Sequence, residues 1–349
     1  MKRLCGGGQM KKVPVAESAG MILSHDLTRI VPGQFKGAAF KKGHVIRPED
    51  IPELLKMGKE HIYVWDPPEG HIHENEAAER IAGAIAGTGI VHTEPQEGKI
   101  SFKATGKGLL RVNKEAVNHI NSIWHMCLST LHDHQPVEKG KTVAATRVIP
   151  LTIHTDEVAR VEKAARDYGW VLKVEKYKPF NIGVVITGNE VYYKRIDDAF
   201  GPTLQKKLAY FDYQIREQIV MPDDPEQITA AILKMHENGL NLILVAGGMS
   251  VDPDDNTPGA IKNTGAKVIT YGSPVLPGAM FVLAELEGTM IMGLPACVIY
   301  CEATILDIIL PRVLAGQRVS REDITRLGVG GLCQDCPECR YPVCGFGKN

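Results

Sequence analysis

Between Asn181 and Gly316 the chain alternates at short spacing between apolar, β-branched runs and helical segments, and few architectures tolerate that rhythm. "NIGVVIT" is apolar without a break, as expected of a strand covered on both faces. A helix around "PTLQKKLAYF" follows, then the strand "QIREQIV" and the helix "PEQITAAILKMHENG". Next come the strand "NLILVAGG", a short helix near "PGAIKNTG" and the strand "AKVITY". "FVLAEL" and "TMIMGLP" complete a sheet that "EATILDIILPRVLAG" covers. This alternation predicts an α/β domain over 181–316, a doubly wound, mostly parallel sheet.

At 349 residues the chain has room for about two domains. Residues 1–180 read as a mixed α+β region. "VPVAESAGMILSHDLTRI" and "HIYVW" look like strands, and "RPEDIPELLKMG" and "HENEAAERIAGAIAG" like helices closed by glycine. "PVEKGKTVAATRVI" alternates like a sheet segment, and "HTDEVARVEKAARDYGW" is a helix with Thr155 as its expected N-cap. Residues 317–349 form a linker and a cysteine-rich tail.

The formal net charge is -1, which gives no global attraction for nucleic acid or an acidic membrane surface. The basic start "MKRLCGGGQMKK" lacks the apolar stretch of a secretory signal, and Pro and Gly interrupt every apolar run. Cys5, Cys127, Cys297 and Cys301 show no disulfide-framework spacing, so a reducing cytoplasm is expected.

Ligands of open α/β sheets bind beyond the carboxyl ends of the strands. Three such ends are unusual here. "ITGNE" brings Thr187, Gly188, Asn189 and Glu190; "VMPDD" brings Asp223 and Asp224; "VAGGMSVDPDD" brings Gly247, Gly248, Ser250 and three aspartates including Asp255. Glycines permit close backbone approach and present N–H groups to an anion. Carboxylates beside that anion would repel it unless a hard cation such as Mg²⁺ bound both. A phosphorylated ligand with Mg²⁺ is therefore expected.

"ITGNEV", "VMPDD", "GGMSVDPDD", "PVLPGAMF" and "GLPACV" resemble, in order and spacing, the molybdopterin-binding domain of MoeA- and gephyrin-type proteins. Members of that family are molybdopterin molybdenumtransferases, which place molybdate on the dithiolene of adenylated molybdopterin with Mg²⁺ and release AMP. The resemblance implies catalytic and metal roles for Glu190 and Asp255, and a metal role for Asp223 or Asp224. It places Thr187, Gly188, Asn189, Gly247, Gly248, Ser250, Pro277 and Gly278 among the substrate-binding positions. It also implies a homodimer, and Lys36, Lys41 or Lys42 could bring cations from the other domain or from a dimer partner.

The sequence departs from the family at telling places. Asn189 stands where an acid is expected, and Asp252 where glycine is usual. The family's Lys-Pro-Gly-Lys-Pro segment is Leu276, Pro277, Gly278, Ala279 and Met280, without either lysine. Molybdate needs cationic or N–H donors, so a second reading is a carrier or maturation chaperone that delivers the cofactor to a recipient molybdoenzyme. A third is a nucleotide enzyme of the CinA-like kind, which carries the same domain.

Half of the eight cysteines lie in "CQDCPECRYPVC", residues 333–344. Cys333, Cys336, Cys339 and Cys344 have the ligand types for tetrahedral Zn²⁺ or an iron–sulfur cluster. A redox or thiol hand-off tail and an inert tail are the alternatives. Two prolines and thin apolar cover predict that the tail orders only when a metal fills it. The histidines of "HIHENE" and "LHDH" read as solvated surface, with metal binding the minority view. Cys297 and Cys301 share one face as small hydrophobes, Cys297 being a candidate reactive thiol.

Overall fold

The computed structural model describes residues 10–31, 35–65, 69–250 and 256–348. Two units emerge. One takes the chain to Thr105 together with Val112–Leu131 and Lys139–Lys173; the other takes Gly106–Arg111, His132–Glu138 and the chain from Val174 onward.

The second unit is built on six strands: β1 (Ile182–Thr187), β2 (Ile215–Met221), β3 (Leu242–Ala246), β4 (Lys267–Tyr271), β5 (Val282–Leu286) and β6 (Thr289–Leu294). Its helices are α1 (Asn189–Tyr192), α2 (Phe200–Ala209), α3 (Pro225–Glu237), α4 (Thr257–Asn263), α5 (Cys297–Tyr300), α6 (Ile305–Leu314) and α7 (Arg321–Thr325). The sheet order is β2-β1-β3-β6-β5-β4. β2, β1, β3 and β6 run parallel, whereas β5 is antiparallel to both β6 and β4. The α/β fold and its mostly parallel sheet stand as the sequence predicts.

Both faces of the sheet are covered, and side-chain alternation shows how. Ile182, Val184 and Ile186 of β1, with Leu242, Leu244 and Ala246 of β3, point into one core with α2, α6 and α7. Val185, Ile243 and Val245 point into the other, with α3 and α4. A strand buried on both sides has no polar positions to alternate, which is why "NIGVVIT" is uninterrupted.

The first unit holds a four-stranded antiparallel sheet of Met126–Thr130, Thr142–Val148, Lys99–Ala104 and Ile90–His92, in that order. The helices Glu74–Ile85 and Thr155–Asp167 bury Ala77, Ile81, Val158 and Val161. The predicted cap at Thr155 is corrected: His154 is the N-cap, its Nδ1 accepting from the Asp156 N–H at 3.2 Å. A smaller core around Val13, Leu23, Phe40, Ile46 and Leu54 lies under the strands Met10–Pro14, His61–Trp65 and Ile22–Leu23. The stretch "VPVAESAGMILSHDLTRI" carries strand at Met10–Pro14, Ile22–Leu23 and Leu27–Val31, interrupted by a 3-10 turn at Val15–Glu17 and by a turn before Ile22. Among the described residues no helix is long and apolar enough to cross a membrane.

The tail departs most from expectation. It docks on the second unit through its own side chains. Phe346 is 5% exposed in the core shared with α6, and Tyr341 Oη donates to the Asp307 carbonyl at 2.8 Å. Leu332 bridges Leu276, with the Cys333 N–H donating to the Leu276 carbonyl at 2.8 Å. Cys333 and Cys344 pack against the core; Cys336 and Cys339 are exposed. Among the described residues no group of three or more His, Cys, Asp or Glu side chains is placed to hold a metal. Cys333, Cys336, Cys339 and Cys344 are thus not gathered into the expected centre here, and aromatic burial at Tyr341 and Phe346 contributes to ordering the tail. Phe346→Ala should destabilise the second unit by about 3–5 kcal/mol in urea unfolding, while a strong chelator should leave the transition unchanged.

A buried charge network ties the same unit together. Arg312, 6% exposed, donates from Nη2 to Asp323 Oδ1 at 2.9 Å and from Nε to Gln317 at 3.3 Å. Gln317 in turn donates to Glu175 at 2.7 Å, and Arg111 pairs with Glu175 and Asp133. Burial pushes the Asp323 carboxyl up, but hydrogen bonds from Ser320 and Arg312 outweigh it and hold it at about 2. Burial, reinforced by the Arg312 charge, pushes His134 down from 6.5 to about 4. A depressed histidine binds its proton more readily when unfolded. Its contribution is therefore complete above pH 6.5 and erodes as pH falls toward about 4. Unfolding free energy should drop by up to about 3 kcal/mol across that window. His134→Asn, which tolerates the positive φ of 62° there, should flatten the slope.

Candidate functional site

Strand direction brings five loops to one edge of the sheet. β2, β1, β3 and β6 end there, and the connection 272–281 lies there too, because β5 starts at Val282 opposite Gly293. Strand order reverses between β1 and β3. The chain leaves β1 for β2 through α2 on one face, then crosses through α3 on the other face to β3. Connections diverging to opposite faces open a crevice at that point.

The crevice is built from backbone contact. Gly247 has φ of 102°, and a Cβ on it would fall 2.1 Å from the Thr187 carbonyl oxygen. Only glycine lets the ends of β1 and β3 approach so closely. A Cβ on Gly248, φ 56°, would lie 2.8 Å from Thr257 Oγ1 and 3.5 Å from Asp223 Oδ1. The Gly247 N–H donates to the Leu294 carbonyl at 3.4 Å and the Gly188 N–H to Met221 at 3.2 Å. Sequence reasoning gave Gly247 a donor role toward an anion; its N–H is instead spent on the sheet, and the glycine supplies room.

Under the glycines sit two buried hydroxyls. Thr187 Oγ1 and Thr257 Oγ1 are 3.1 Å apart, and the Thr257 N–H donates to the Gly248 carbonyl at 3.1 Å. Thr257 was not among the expected site residues, since "NTPG" reads as an ordinary helix start. On the β2 side, Asn189 and Asp223 clasp each other: the Asn189 N–H donates to Asp223 Oδ2 at 2.8 Å, and the Asp223 N–H to Asn189 Oδ1 at 3.3 Å. Asn256 Nδ2 adds a bond to the Asp223 carbonyl at 3.2 Å. Asn189, where the family has an acid, thus serves as a neutral latch between loops. Glu190 is exposed and folds back over Gly188, whose Cβ would sit 2.8 Å from Glu190 Oε1.

Several expected residues fall elsewhere. Asp224 caps α3, accepting from the Glu226 and Gln227 N–H groups at 2.9 and 3.0 Å, and these bonds, Gln227 foremost, hold its carboxyl below the usual range. Both cap bonds fall on Oδ1 of Asp224. Pro277 and Gly278 share the edge but lie beyond β6, where Gly278 packs on Ile305 and the Pro277 carbonyl accepts from the Ile305 N–H at 3.3 Å. Ser250 is exposed at the mouth of the loop; Asp252 and Asp255 lie outside the described residues, as does the Lys36 side chain. Burial, with Cys301 adding to it, pushes the Cys297 thiol up to about 11, which makes a poor nucleophile of the candidate reactive cysteine.

The two glycines should respond differently to alanine. Gly247→Ala meets backbone and should cost at least about 2–4 kcal/mol in urea unfolding. Gly248→Ala meets a side-chain hydroxyl at a φ that alanine can reach, and should cost only about 1–2 kcal/mol.

Residues 183–315 match the family model described as "Probable molybdopterin binding domain", and residues 12–66 match a domain of unknown function. A molybdopterin molybdenumtransferase of Synechococcus elongatus is 26% identical over 124 residues, covering 33% of this chain and 31% of that protein. A CinA-like protein of Mycobacterium tuberculosis is 35% identical over 75 residues, 22% of this chain and 17% of the relative. The chain thus spans less than a third of the length of these curated relatives. A crystal structure of a molybdopterin biosynthesis MoeA protein from Pyrococcus horikosii aligns at 14% identity and a TM-score of 0.33, over 88% of this chain and 75% of that one. The segment that forms the six-stranded sheet and its crevice is thus the part of the chain that matches the probable molybdopterin-binding domain.

Proposed function

We propose that the crevice between β1 and β3 binds molybdopterin, and that the chain acts in molybdenum cofactor assembly as a molybdenumtransferase-like enzyme. Its substrates in this reading are adenylated molybdopterin and molybdate, and AMP is released. The observation that carries the reading is the Gly247–Gly248 turn closed against Thr187 and stacked over the Thr187–Thr257 hydroxyl pair, at the point where strand order reverses.

Each residue has a role in this scheme. Gly247 lets β3 close on β1, Gly248 lies over the Thr187 and Thr257 hydroxyls, and in this reading the ligand's phosphate docks at that turn. Asn189 and Asp223 fix the neighbouring loop, so that Glu190 is held at the rim. Mg²⁺, when bound, would supply the positive charge that cancels the repulsion between phosphate and carboxylates. Glu190, Asp223 and Asp224 are the described carboxylates that would hold it, Asp224 also capping α3 through Oδ1. A cytoplasmic homodimer is the setting this reading carries.

The carrier reading has an observation of its own. The loop at Leu276–Met280 offers no lysine where the resembling family has two, and its Gly278 is packed against Ile305. Molybdate would find no cation on that loop.

Calorimetry of the full chain with molybdopterin, with and without Mg²⁺, should detect binding that strengthens with the cation. Adenylated molybdopterin and molybdate together should then yield AMP, and Glu190→Ala should slow release by on the order of 10²–10³ while leaving the unfolding transition in place. Binding without AMP release would favour the carrier. No binding in either condition would overturn both readings.

A further inference from the structure

The tail's cysteines do not stand alone. A cavity of about 700 Å³ in the second unit is lined by Cys333, Cys336, Cys339 and Cys344 and also by Cys301, which caps the C-terminal end of α5. Five thiols therefore face one space, one of them from a different element. The tail is fixed on either side of them: Leu332 bridges Leu276, the Gly347 N–H donates to the Gly330 carbonyl at 2.9 Å, and Phe346 is buried. A loop pinned at both ends holds its thiols at high effective concentration toward one another and toward the wall.

The thiols also differ in exposure, which divides their roles. Cys336 and Cys339 are exposed, whereas Cys301, Cys333 and Cys344 are half-buried. Thiol–disulfide exchange needs an accessible thiolate to attack and a nearby second thiol to resolve the mixed disulfide. No metal-holding arrangement competes for these sulfurs among the described residues.

We propose that this cavity is a thiol–disulfide exchange site for small aliphatic disulfides, with Cys336 or Cys339 attacking and a half-buried cavity thiol resolving. The attacking thiolate bonds to one sulfur of the external disulfide, whose S–S bond breaks and releases one thiolate. A second protein thiolate then attacks the cysteine sulfur of the mixed disulfide and expels the other. The protein loses two hydrogens and forms one S–S bond; the external disulfide is reduced to two thiols. When Cys301 resolves, its bond to Cys336 or Cys339 staples the tail to the end of α5. Burial, then the neighbouring Asp335 and Cys333, raises the Cys301 thiol, which suits it to the resolving step rather than the attack.

The test uses the full chain and oxidised glutathione, followed by alkylation, intact mass and peptide mapping. Cys127, exposed in the first unit, is the internal control. The expected result is an intramolecular disulfide among the five cavity cysteines, including a tail peptide joined to the Cys301 peptide, while Cys127 retains a glutathione adduct. The double variant Cys336→Ser, Cys339→Ser should form it at least ten-fold more slowly. Cys301→Ser should abolish the tail-to-α5 link and keep links within the tail. Persistent glutathione adducts on the tail, unmodified tail thiols, or a double variant that reacts at the unchanged rate would each overturn the proposal.

Discussion

The candidate site hangs on a single backbone approach, that of Gly247 against the carbonyl of Thr187. With a Cβ expected 2.1 Å from that oxygen, no other residue lets β1 and β3 converge there. Convergence brings Thr257 to Thr187 and lays Gly248 over both hydroxyls. Remove it and the loops after three strands lose their common reference. The sheet, sealed by two separate apolar cores, is what makes the approach rigid enough to be used.

Away from the site, the second unit is stabilised by two unlike devices. One is polar: Arg312, Gln317, Glu175 and Asp323 share hydrogen bonds where an isolated buried guanidinium would be costly. The other is apolar, the seating of Phe346 and Tyr341 beside α6. The second device anchors the cysteine segment beside α6, with Cys333 and Cys344 packed against the core and Cys336 and Cys339 left exposed for chemistry.

Much of this was legible in the sequence, and the failures are instructive. Continuous runs such as "NIGVVIT" announce burial on both faces, so the strands and their alternation with helices could be read directly. The reversal of β5 was missed, although its signal is present: Glu287 and Gly288 both take positive φ, 46° and 88°, the two-residue turn that forces β5 and β6 antiparallel. Thr257 escaped because a threonine before Pro-Gly reads as a helix start, and only the spatial return of β3 to β1 makes it a neighbour of Thr187. The cap role of Asp224 was missed for the converse reason: it is local and strong, yet the family context drew attention to metal. In the tail, cysteine spacing drew attention away from Phe346, whose burial depends on distant α6 residues that no local pattern reveals.

The interleaving of the chain between the two units has a consequence for how the molecule can be divided. Gly106–Arg111 and His132–Glu138 belong with the later sequence, although residues of the first unit separate them. Pro136 and Val137 pair with Leu109 and Gly108, and Arg111 meets Glu175. A gene fragment beginning at Asn181 would encode the whole sheet and its crevice but forfeit that strand pair and one end of the charge network. The unit is thus not transplantable as one uninterrupted stretch. Any recombination that kept the unit whole would have to carry the earlier chain from Gly106 along with it.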